Sequence, residues 1–325
     1  MAELKLVRSE GTTAPAAPSV PGAESVLHRI EWTVLRRLDG SLLGDYRTLF
    51  RGFGIDLADL REYQVNDDAR TIDWNATARL QVPHVRQCNE DREVTAWFLV
   101  DLSGSVNFGS GAITKGAMAA DFVALVARLL TRHGNRAGAV LYTDRVDLVV
   151  PARGGRQHVL HLIDQIQKTG GSRRVGKSTR LGELLERGLQ AIKRRSVVFI
   201  LSDFISDPGW ARALSLLGQR HEVLAVRLYD ALEQELPDAG LVIMEDAETG
   251  QQLFVDTHDA AFRRRFTALA AEREAALRAA LSGAGADCIE LSTEDDLADT
   301  LIRFARLRKR RAQLASGGVS PALIR

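Results

Sequence analysis

The sequence predicts an α/β fold with a doubly wound, mainly parallel sheet, preceded by an N-terminal β-rich segment. From residue 94 onward, apolar runs of strand length alternate with amphipathic helical stretches, the pattern of a sheet covered by helices on both faces. The chain has 325 residues, of which 45% are hydrophobic and 26% charged, and its net charge is +1. These values are typical of a globular protein and give no electrostatic reason to expect nucleic-acid or membrane binding.

Two segments precede the alternating pattern. Residues 11–24 are rich in Ala, Pro, Gly and Thr, and residues 1–24 are expected to form a disordered arm because prolines cannot join a helix interior. A helix is expected at 25–38. Residues 45–97 carry β-branched and aromatic residues between Gly, Asp and Asn turn signals, which predicts strands or hairpins. We therefore expect residues 25–93 to be a helix plus a β-rich segment.

The α/β domain is expected over residues 94–312, with a C-terminal extension inside it and a tail at 313–325. Helix 115–134 has apolar residues at helical spacing and a natural stop at Gly134. Further helices are expected at 156–168, 181–194, 209–221, 259–282 and 294–312. Strands are expected at 96–101, 137–143, 146–151, 196–203, 222–230 and 287–292, with a hairpin at 241–257.

Cysteine usage and hydropathy indicate a cytoplasmic protein. Cys88 and Cys288 are the only cysteines, and no C-x-x-C pair exists to form a thiolate zinc site. No apolar run approaches the length of a membrane span, and the N-terminus lacks the apolar core of a signal peptide. The sequence does not indicate an oligomeric state.

One stretch matches a nucleotide-binding motif literally. Residues 171-GSRRVGKS-178 read as G-x-x-x-x-G-K-[ST], the phosphate loop of many nucleotide hydrolases. That loop requires a buried strand upstream, whereas the apolar spacing in 156–171 predicts an amphipathic helix. We therefore interpret the match as incidental and keep a nucleotide-binding protein as the alternative function.

The stretch 101-DLSGS-105 follows the first strand of the α/β pattern. Asp101, Ser103 and Ser105 stand where ligands bind in doubly wound sheets, beyond the carboxyl end of a strand. One carboxylate and two hydroxyls are hard oxygen ligands, which suit Mg²⁺ or Mn²⁺. Ser and Gly after a strand are also ordinary turn and cap residues, so the spacing alone leaves both interpretations open.

Together with two later elements, this stretch resembles the metal-ion-dependent adhesion site of the von Willebrand factor A domain family. The resemblance implies a metal set of Asp101, Ser103 and Ser105, with Thr179 from the loop before the helix at 181 and Asp203 after the strand VVFIL. Thr179 lies one residue beyond the phosphate-loop match. The basic residues near it are expected to rim the site and contact a partner, namely Arg173, Arg174, Lys177 and Arg180.

The segment before the sheet resembles a bacterial family, the domain of unknown function 58. The matching stretches are 56-DLADLREYQVNDDARTIDWNATAR-79 and 83-PHVRQCNEDRE-93. Their charges of both signs are expected to lock the β-rich segment onto the α/β domain, with Trp74 as an aromatic anchor; a partner-binding face is the alternative. The residues of this family signature are Asp68, Arg70, Asp73, Trp74, Arg79, Glu90 and Arg92.

The resemblance implies a non-enzymatic interaction protein with no catalytic residue. Members look like partners of MoxR-type AAA+ ATPases, acting on client proteins in chaperone-like assembly or metal-cofactor maturation. Members often carry membrane helices near the N-terminus, and none is expected here. The enzymatic alternative to nucleotide binding is a metal-assisted hydrolase, which would need a positioned general base; no histidine falls in the predicted site loops.

Overall fold

The structure is a computed structural model of the chain. It describes residues 4–7, 22–35, 37, 59–63, 72, 74, 77–78, 82–87, 94–111, 113–171, 178–246 and 251–316. In chain order, its elements are β1 (Leu4–Val7), α1 (Ala23–Arg29), β2 (Asp59–Glu62), β3 (His84–Gln87), β4 (Thr95–Asp101), α2 (Lys115–Arg132), β5 (Arg136–Tyr142), β6 (Val146–Arg153), α3 (Arg156–Gly170), α4 (Leu181–Ala191), β7 (Val197–Ser202), α5 (Trp210–Arg220), β8 (Glu222–Tyr229), β9 (Leu241–Asp246), β10 (Gln252–Asp256), α6 (Ala260–Gly283), β11 (Asp287–Ser292) and α7 (Leu297–Ser316).

A six-stranded sheet in the order β11-β8-β7-β4-β5-β6 forms the centre of the fold. Five strands are parallel, and the edge strand β6 runs antiparallel to β5. The central strands β4 and β7 are buried on both faces, which explains their continuous apolar sequences WFLV and VVFIL. The predicted class, a doubly wound and mainly parallel sheet, is confirmed.

Helices cover both faces of this sheet. One apolar cluster joins the sheet to α1, α2, α3 and α7, and a second joins the opposite face to α4, α5 and α6. Phe98 and Phe199 from neighbouring strands stack at 5.1 Å between ring centroids, and Phe122 of α2 meets Phe199 edge-on at 5.9 Å. Burying each of these rings contributes about 1.5–3 kcal/mol, so they fix α2 against the strands that carry the site.

Local sequence signals set both ends of α2. The side-chain oxygen of Thr114 accepts a hydrogen bond from the amide of Ala117 at 3.2 Å, which caps the first turn. Gly134 follows the helix with a φ of +80°, a conformation that glycine adopts without strain. The predicted stop at Gly134 is confirmed.

The expectation of a disordered arm at residues 1–24 is wrong for its first described stretch. Strand β1 pairs antiparallel with β9, so that Leu4 lies opposite Asp246 in a three-stranded sheet β1-β9-β10. The alternating sequence LKLV suits an edge strand, and its partner lies in the hairpin β9-β10. That hairpin was itself predicted and is confirmed, while its turn lies outside the described residues.

Helix α1 belongs to the α/β core and not to the β-rich segment. It continues as a π-helical stretch, Ile30–Leu35, and Leu27 and Ile30 are fully buried in the cluster that contains α2 and α3. Arg29 forms a 2.5 Å ion pair with Asp121 of α2. Helix α1 therefore packs with the α/β domain that was expected to begin at residue 94. At the other end, α7 extends to Ser316, beyond the expected tail boundary at 313.

The β-rich segment is described in part. Strands β2 and β3 form an antiparallel two-stranded ladder, which confirms strand structure for this region. No helix in the described part of the chain combines the length and apolar character that crossing a bilayer requires.

Candidate functional site

The carboxyl ends of β4 and β7 meet at the middle of the sheet. The two strands are parallel neighbours, and their register pairs Val100 with Leu201. The next residues, Asp101 and Ser202, therefore lie side by side, and the Ser202 hydroxyl donates a 2.7 Å hydrogen bond to Asp101 Oδ2. This adjacency brings two of the predicted metal-site loops together at one point.

Asp101 is fully buried and held from two sides. Its Oδ1 accepts a 3.0 Å hydrogen bond from the amide of Ser103, and its Oδ2 accepts the bond from Ser202. Burial and the nearby negative charge of Asp203 raise the pKa of Asp101 from 3.8 to about 6. A nearby cation would therefore stabilise the ionised form of this carboxyl.

The two serines of the D-x-S-x-S stretch lie beside Asp101. Both are buried, and the hydroxyl oxygens of Ser103 and Ser105 are 3.1 Å apart. Ser105 begins a short 3-10 turn, Ser105–Asn107, which directs the chain away from the sheet. The turn groups the Asp101 carboxylate with two hydroxyl oxygens.

Asp203 follows β7 in a strained turn. Its Oδ1 accepts a 3.0 Å hydrogen bond from the amide of Ile205, and the Ser202 hydroxyl accepts one from the amide of Phe204. Phe204 has a φ of +60°, a left-handed conformation that costs a bulky residue on the order of 1–3 kcal/mol. The surrounding bonds hold this turn, which fixes the direction of the Asp203 carboxylate.

Thr179 is buried in the loop that leads into α4. Its carbonyl oxygen accepts hydrogen bonds from the Ser206 hydroxyl and from the Asp207 amide, each at 2.9 Å. The Tyr142 hydroxyl, at the end of β5, accepts a 3.0 Å bond from the amide of Arg180. Burial raises the pKa of Tyr142 to about 12, so the phenol stays neutral. Thr179 is thus tied to the loop that carries Asp203.

A buried lysine, which the sequence did not suggest, completes the site. Lys115, the first residue of α2, is 0% exposed, and its ammonium donates to Asp203 Oδ2 at 2.9 Å and to Glu233 Oε1 at 2.6 Å. Glu233 ends a 3-10 turn, Ala231–Glu233, that is closed by a capping box with Asp230. Asp230 in turn accepts hydrogen bonds from Ser110 and Thr293, which fix the turn to neighbouring loops.

These residues fit a hard divalent cation. The donor set consists only of oxygen atoms, and burial leaves the Asp101 carboxyl in need of positive charge. Within the described residues, no group of three or more His, Cys, Asp or Glu is placed to hold a metal, so the set relies on hydroxyls beside its two carboxylates. The residues that would hold Mg²⁺ or Mn²⁺ are Asp101, Ser103, Ser105, Thr179 and Asp203.

Comparison with known proteins identifies the family. Residues 59–276 match the family described as "Protein of unknown function DUF58". The chain belongs to the DUF58 family. Uncharacterized proteins from Mycobacterium bovis and Mycobacterium tuberculosis are each 36% identical over 294 residues, which cover 90% of this chain and 92% of each relative. An uncharacterized Mycobacterium avium protein is 35% identical over 163 residues, covering 50% of this chain and 95% of the relative.

Solved structures resemble this DUF58 protein weakly. The conserved hypothetical protein BatB from Bacteroides thetaiotaomicron aligns with a TM-score of 0.43 and 10% identity, covering 67% of this chain and 99% of that chain. An aerotolerance-related membrane protein from Bacteroides fragilis gives 0.42 and 10% over the same shares. The SpRpn10 VWA domain gives 0.37 and 12%, covering 65% of this chain and 94% of that chain. Similarities at this level do not transfer a function.

The DUF58 signature lies almost entirely outside the described residues. This applies to Asp68, Arg70, Asp73, Arg79, Glu90 and Arg92. Trp74 is described, and its side chain is 71% exposed. The expectation that Trp74 anchors the β-rich segment is therefore wrong, because an anchoring ring would be buried in the contact. A contact with a partner remains the other interpretation of this residue.

The expected basic rim is described only at Arg180. Its side chain is 55% exposed and forms a 2.8 Å ion pair with Glu183 in the first turn of α4. Arg173, Arg174 and Lys177 lie outside the described residues, as does most of the phosphate-loop match. The segment before that match is helix α3, which confirms the predicted helix where a phosphate loop needs a strand.

A cavity of about 390 Å³ adjoins the site of this DUF58 protein. Thr179, Asp203 and Glu233 line it on the side of the metal set, and Arg227 and Leu277 line it on the side of β8 and α6. The region after residue 230, to which the sequence assigned no role, therefore builds one wall of the space beside the candidate metal residues.

Two of the charged groups at the site were missed by sequence reasoning. Lys115 carried one usable signal, since a cation in the first turn of a helix opposes the helix dipole and calls for a local anionic partner. Glu233 carried no such signal. Its role depends on a turn whose position next to α2 is decided by packing between distant parts of the chain.

Proposed function

We propose that this DUF58 protein is a non-enzymatic interaction module whose protein partner docks at a divalent cation. The observation that carries the proposal is the buried set of carboxylate and hydroxyl oxygens where β4 and β7 end. Mg²⁺ is the ion we favour, and Mn²⁺ is the alternative, since both prefer oxygen ligands and octahedral geometry.

Hydrogen bonds within the chain orient the two carboxylates that would hold the cation. Ser202 and the Ser103 amide orient the Asp101 carboxylate, and the Ile205 amide orients Asp203. When bound, the cation supplies a Lewis-acidic position that a partner carboxylate can occupy in place of water. Such a bond combines charge with strict geometry, which gives specificity and metal dependence together.

For the partner, we propose a MoxR-type AAA+ ATPase, with this chain acting as an adaptor or co-chaperone for a client protein in the cytoplasm. This step rests on the family resemblance in the sequence. The site geometry is compatible with it because two residues of the proposed metal set, Thr179 and Asp203, line a cavity with room for a protruding acidic side chain.

An enzymatic function has less support. Among the described residues that line the site and the adjoining cavity there is no histidine or cysteine to act as a base or nucleophile. For nucleotide hydrolysis, the helix α3 stands where the motif requires a strand. The carboxylates of the site are engaged in other contacts, since Lys115 pairs with Asp203 and Glu233 and Asp101 accepts hydrogen bonds from Ser103 and Ser202.

The test is binding kinetics between this chain and the MoxR-type ATPase of the same organism, measured in Mg²⁺ and in EDTA. We expect measurable binding in Mg²⁺ and faster dissociation in EDTA, because a central contact governs the dissociation rate. Thr179→Ala should lose affinity in Mg²⁺. Its matched control is Ser178→Ala, which removes a neighbouring hydroxyl that bonds Asp207 and lies outside the proposed metal set.

Arg180, the described residue of the expected basic rim, gives a second and independent test through the association rate. Arg180→Ala should slow association and reduce its salt dependence, with little change in dissociation, since rim charges steer encounter more than they hold a complex. Equal dissociation rates in Mg²⁺ and EDTA would overturn the metal-dependent docking, and absence of binding in Mg²⁺ would overturn the choice of partner.

A further inference from the structure

Lys115 is a fully buried cation at the start of a helix, where a positive charge is unfavourable. Its ammonium contacts two carboxylates, at 2.9 Å to Asp203 and 2.6 Å to Glu233, and the ring of Phe108 lies 6.0 Å from its nitrogen. A buried lysine is tolerated only when it is paired, and here the pairing uses a residue of the proposed metal set.

The charge of the site follows from these contacts. Asp101, Asp203 and Glu233 are three carboxylates grouped around the end of β7, and the Lys115 ammonium donates hydrogen bonds to two of them, Asp203 and Glu233. In ionised form, the three carboxylates and the ammonium leave two negative charges. One divalent cation neutralises this remainder, which a monovalent ion would not.

Asp203 is the residue that both cations need. Its Oδ2 accepts from Lys115, and its Oδ1 accepts from the Ile205 amide. A cation drawing on Oδ2 would meet the ammonium at close range, and the two positive charges would repel each other in a buried, poorly screened place. Glu233 offers the ammonium a second carboxylate, so Lys115 has a partner when a metal takes Asp203.

We propose that Lys115 is a resident counter-ion that competes with the divalent cation for Asp203 and thereby sets the metal affinity of the site. Glu233 is the second partner of the ammonium and keeps it buried whether or not a metal is bound. This inference rests on the proposed metal site and adds a residue that tunes it. It also explains how two buried carboxylates remain compatible with the folded chain before a metal binds.

The experiment measures Mg²⁺ and Mn²⁺ affinity by calorimetry and the melting temperature in EDTA for four variants of the full chain. Lys115→Met should bind metal at least about tenfold more tightly than wild type, because a competing buried charge is gone. Its melting temperature in EDTA should fall, and saturating metal should restore it. Lys115→Arg should stay near wild type in both measurements.

Glu233→Gln covers the case in which Lys115→Met does not fold without metal. This variant keeps the ammonium and leaves it to Asp203 alone, so metal affinity should weaken by about tenfold. The double variant Lys115→Met/Glu233→Gln restores the net charge of wild type while removing the competitor. It should still bind metal more tightly than wild type. An affinity equal to that of wild type would mean that net charge alone explains the tighter binding of Lys115→Met, and it would overturn competition for Asp203.

The outcomes separate this inference from the proposed function. If wild type binds metal and Lys115→Met binds it equally well, the inference fails and the metal site stands. If wild type binds no metal and Lys115→Met does, the metal-dependent function fails and the counter-ion role stands. If neither binds metal, both are overturned.

Discussion

The buried carboxyl of Asp101 predicts how the stability of the metal-free protein depends on pH. Its pKa is raised from 3.8 to about 6 by burial and by Asp203, whereas in the unfolded chain it is expected near 3.8. The folded protein therefore binds a proton here more tightly than the unfolded chain does. Such a group stabilises the fold at low pH, and its contribution is lost as the pH rises through about 6.

The size of the effect follows from the shift. One pKa unit corresponds to about 1.4 kcal/mol, so the whole shift is worth about 3 kcal/mol of unfolding free energy. Integrated over the experimentally accessible range, about 1.4 kcal/mol of this is lost between pH 5 and pH 7.5. Asp101 is fully buried, so solvent does not screen the effect.

The assay is urea unfolding in EDTA at pH 5 and pH 7.5 for wild type and Asp101→Asn. Subtracting the unfolding free energy of the variant from that of wild type removes the contribution of all other titrating groups. This difference should decrease by about 1.4 kcal/mol from pH 5 to pH 7.5. Asp164→Asn, which removes a partly exposed carboxylate of α3 that pairs with Lys168, is the matched control for the loss of one carboxylate.

Bound metal should reverse this loss of stability with rising pH. Protons and Mg²⁺ compete for the same carboxylate, so the apparent Mg²⁺ affinity should be about tenfold weaker at pH 5 than at pH 7.5. A difference between wild type and Asp101→Asn that stays constant with pH, or that grows toward pH 7.5, would refute the reasoning about burial at this position.

Three further outcomes are expected. Wild type should gain about 2.7 kcal/mol of stability at a Mg²⁺ concentration one hundredfold above the dissociation constant, and Asp101→Ala and Asp203→Ala should each lose this gain in a thermal-shift titration. Calorimetry should find no ATP affinity better than about millimolar, or about 4 kcal/mol, and a micromolar affinity lost in Lys177→Ala would restore the phosphate-loop interpretation. Gly218→Ala should cost about 1–3 kcal/mol in urea unfolding, because its new methyl carbon would lie 2.6 Å from a backbone carbonyl oxygen, while Gly283→Ala, with no atom within 4 Å, should be neutral or stabilising.

Local sequence patterns were sufficient to predict the elements of the α/β domain and the order of the candidate metal residues. Strands such as VVFIL and helices such as α2 are encoded locally, by apolar periodicity and by signals such as Thr114 and Gly134. Asp101 ends β4 and Asp203 directly follows β7, so their place at the carboxyl ends of the strands follows from the strand prediction and from the rule that parallel strands end together.

The neighbours of these residues depend on tertiary packing, which local patterns do not specify. β1 has its partner in β9, more than two hundred residues later, and no local pattern specifies such a pairing. Trp74 was expected in a buried contact and is exposed. The sequence shows that this side chain is a large aromatic ring, but it does not show whether the fold buries the ring. Lys115 and Glu233 lie 118 positions apart, and both carboxylate contacts of the ammonium exist only because α2 packs on the sheet at the end of β7. Burial and charge pairing are properties of this packing, which is why the lysine at the centre of the site became visible only in the folded chain.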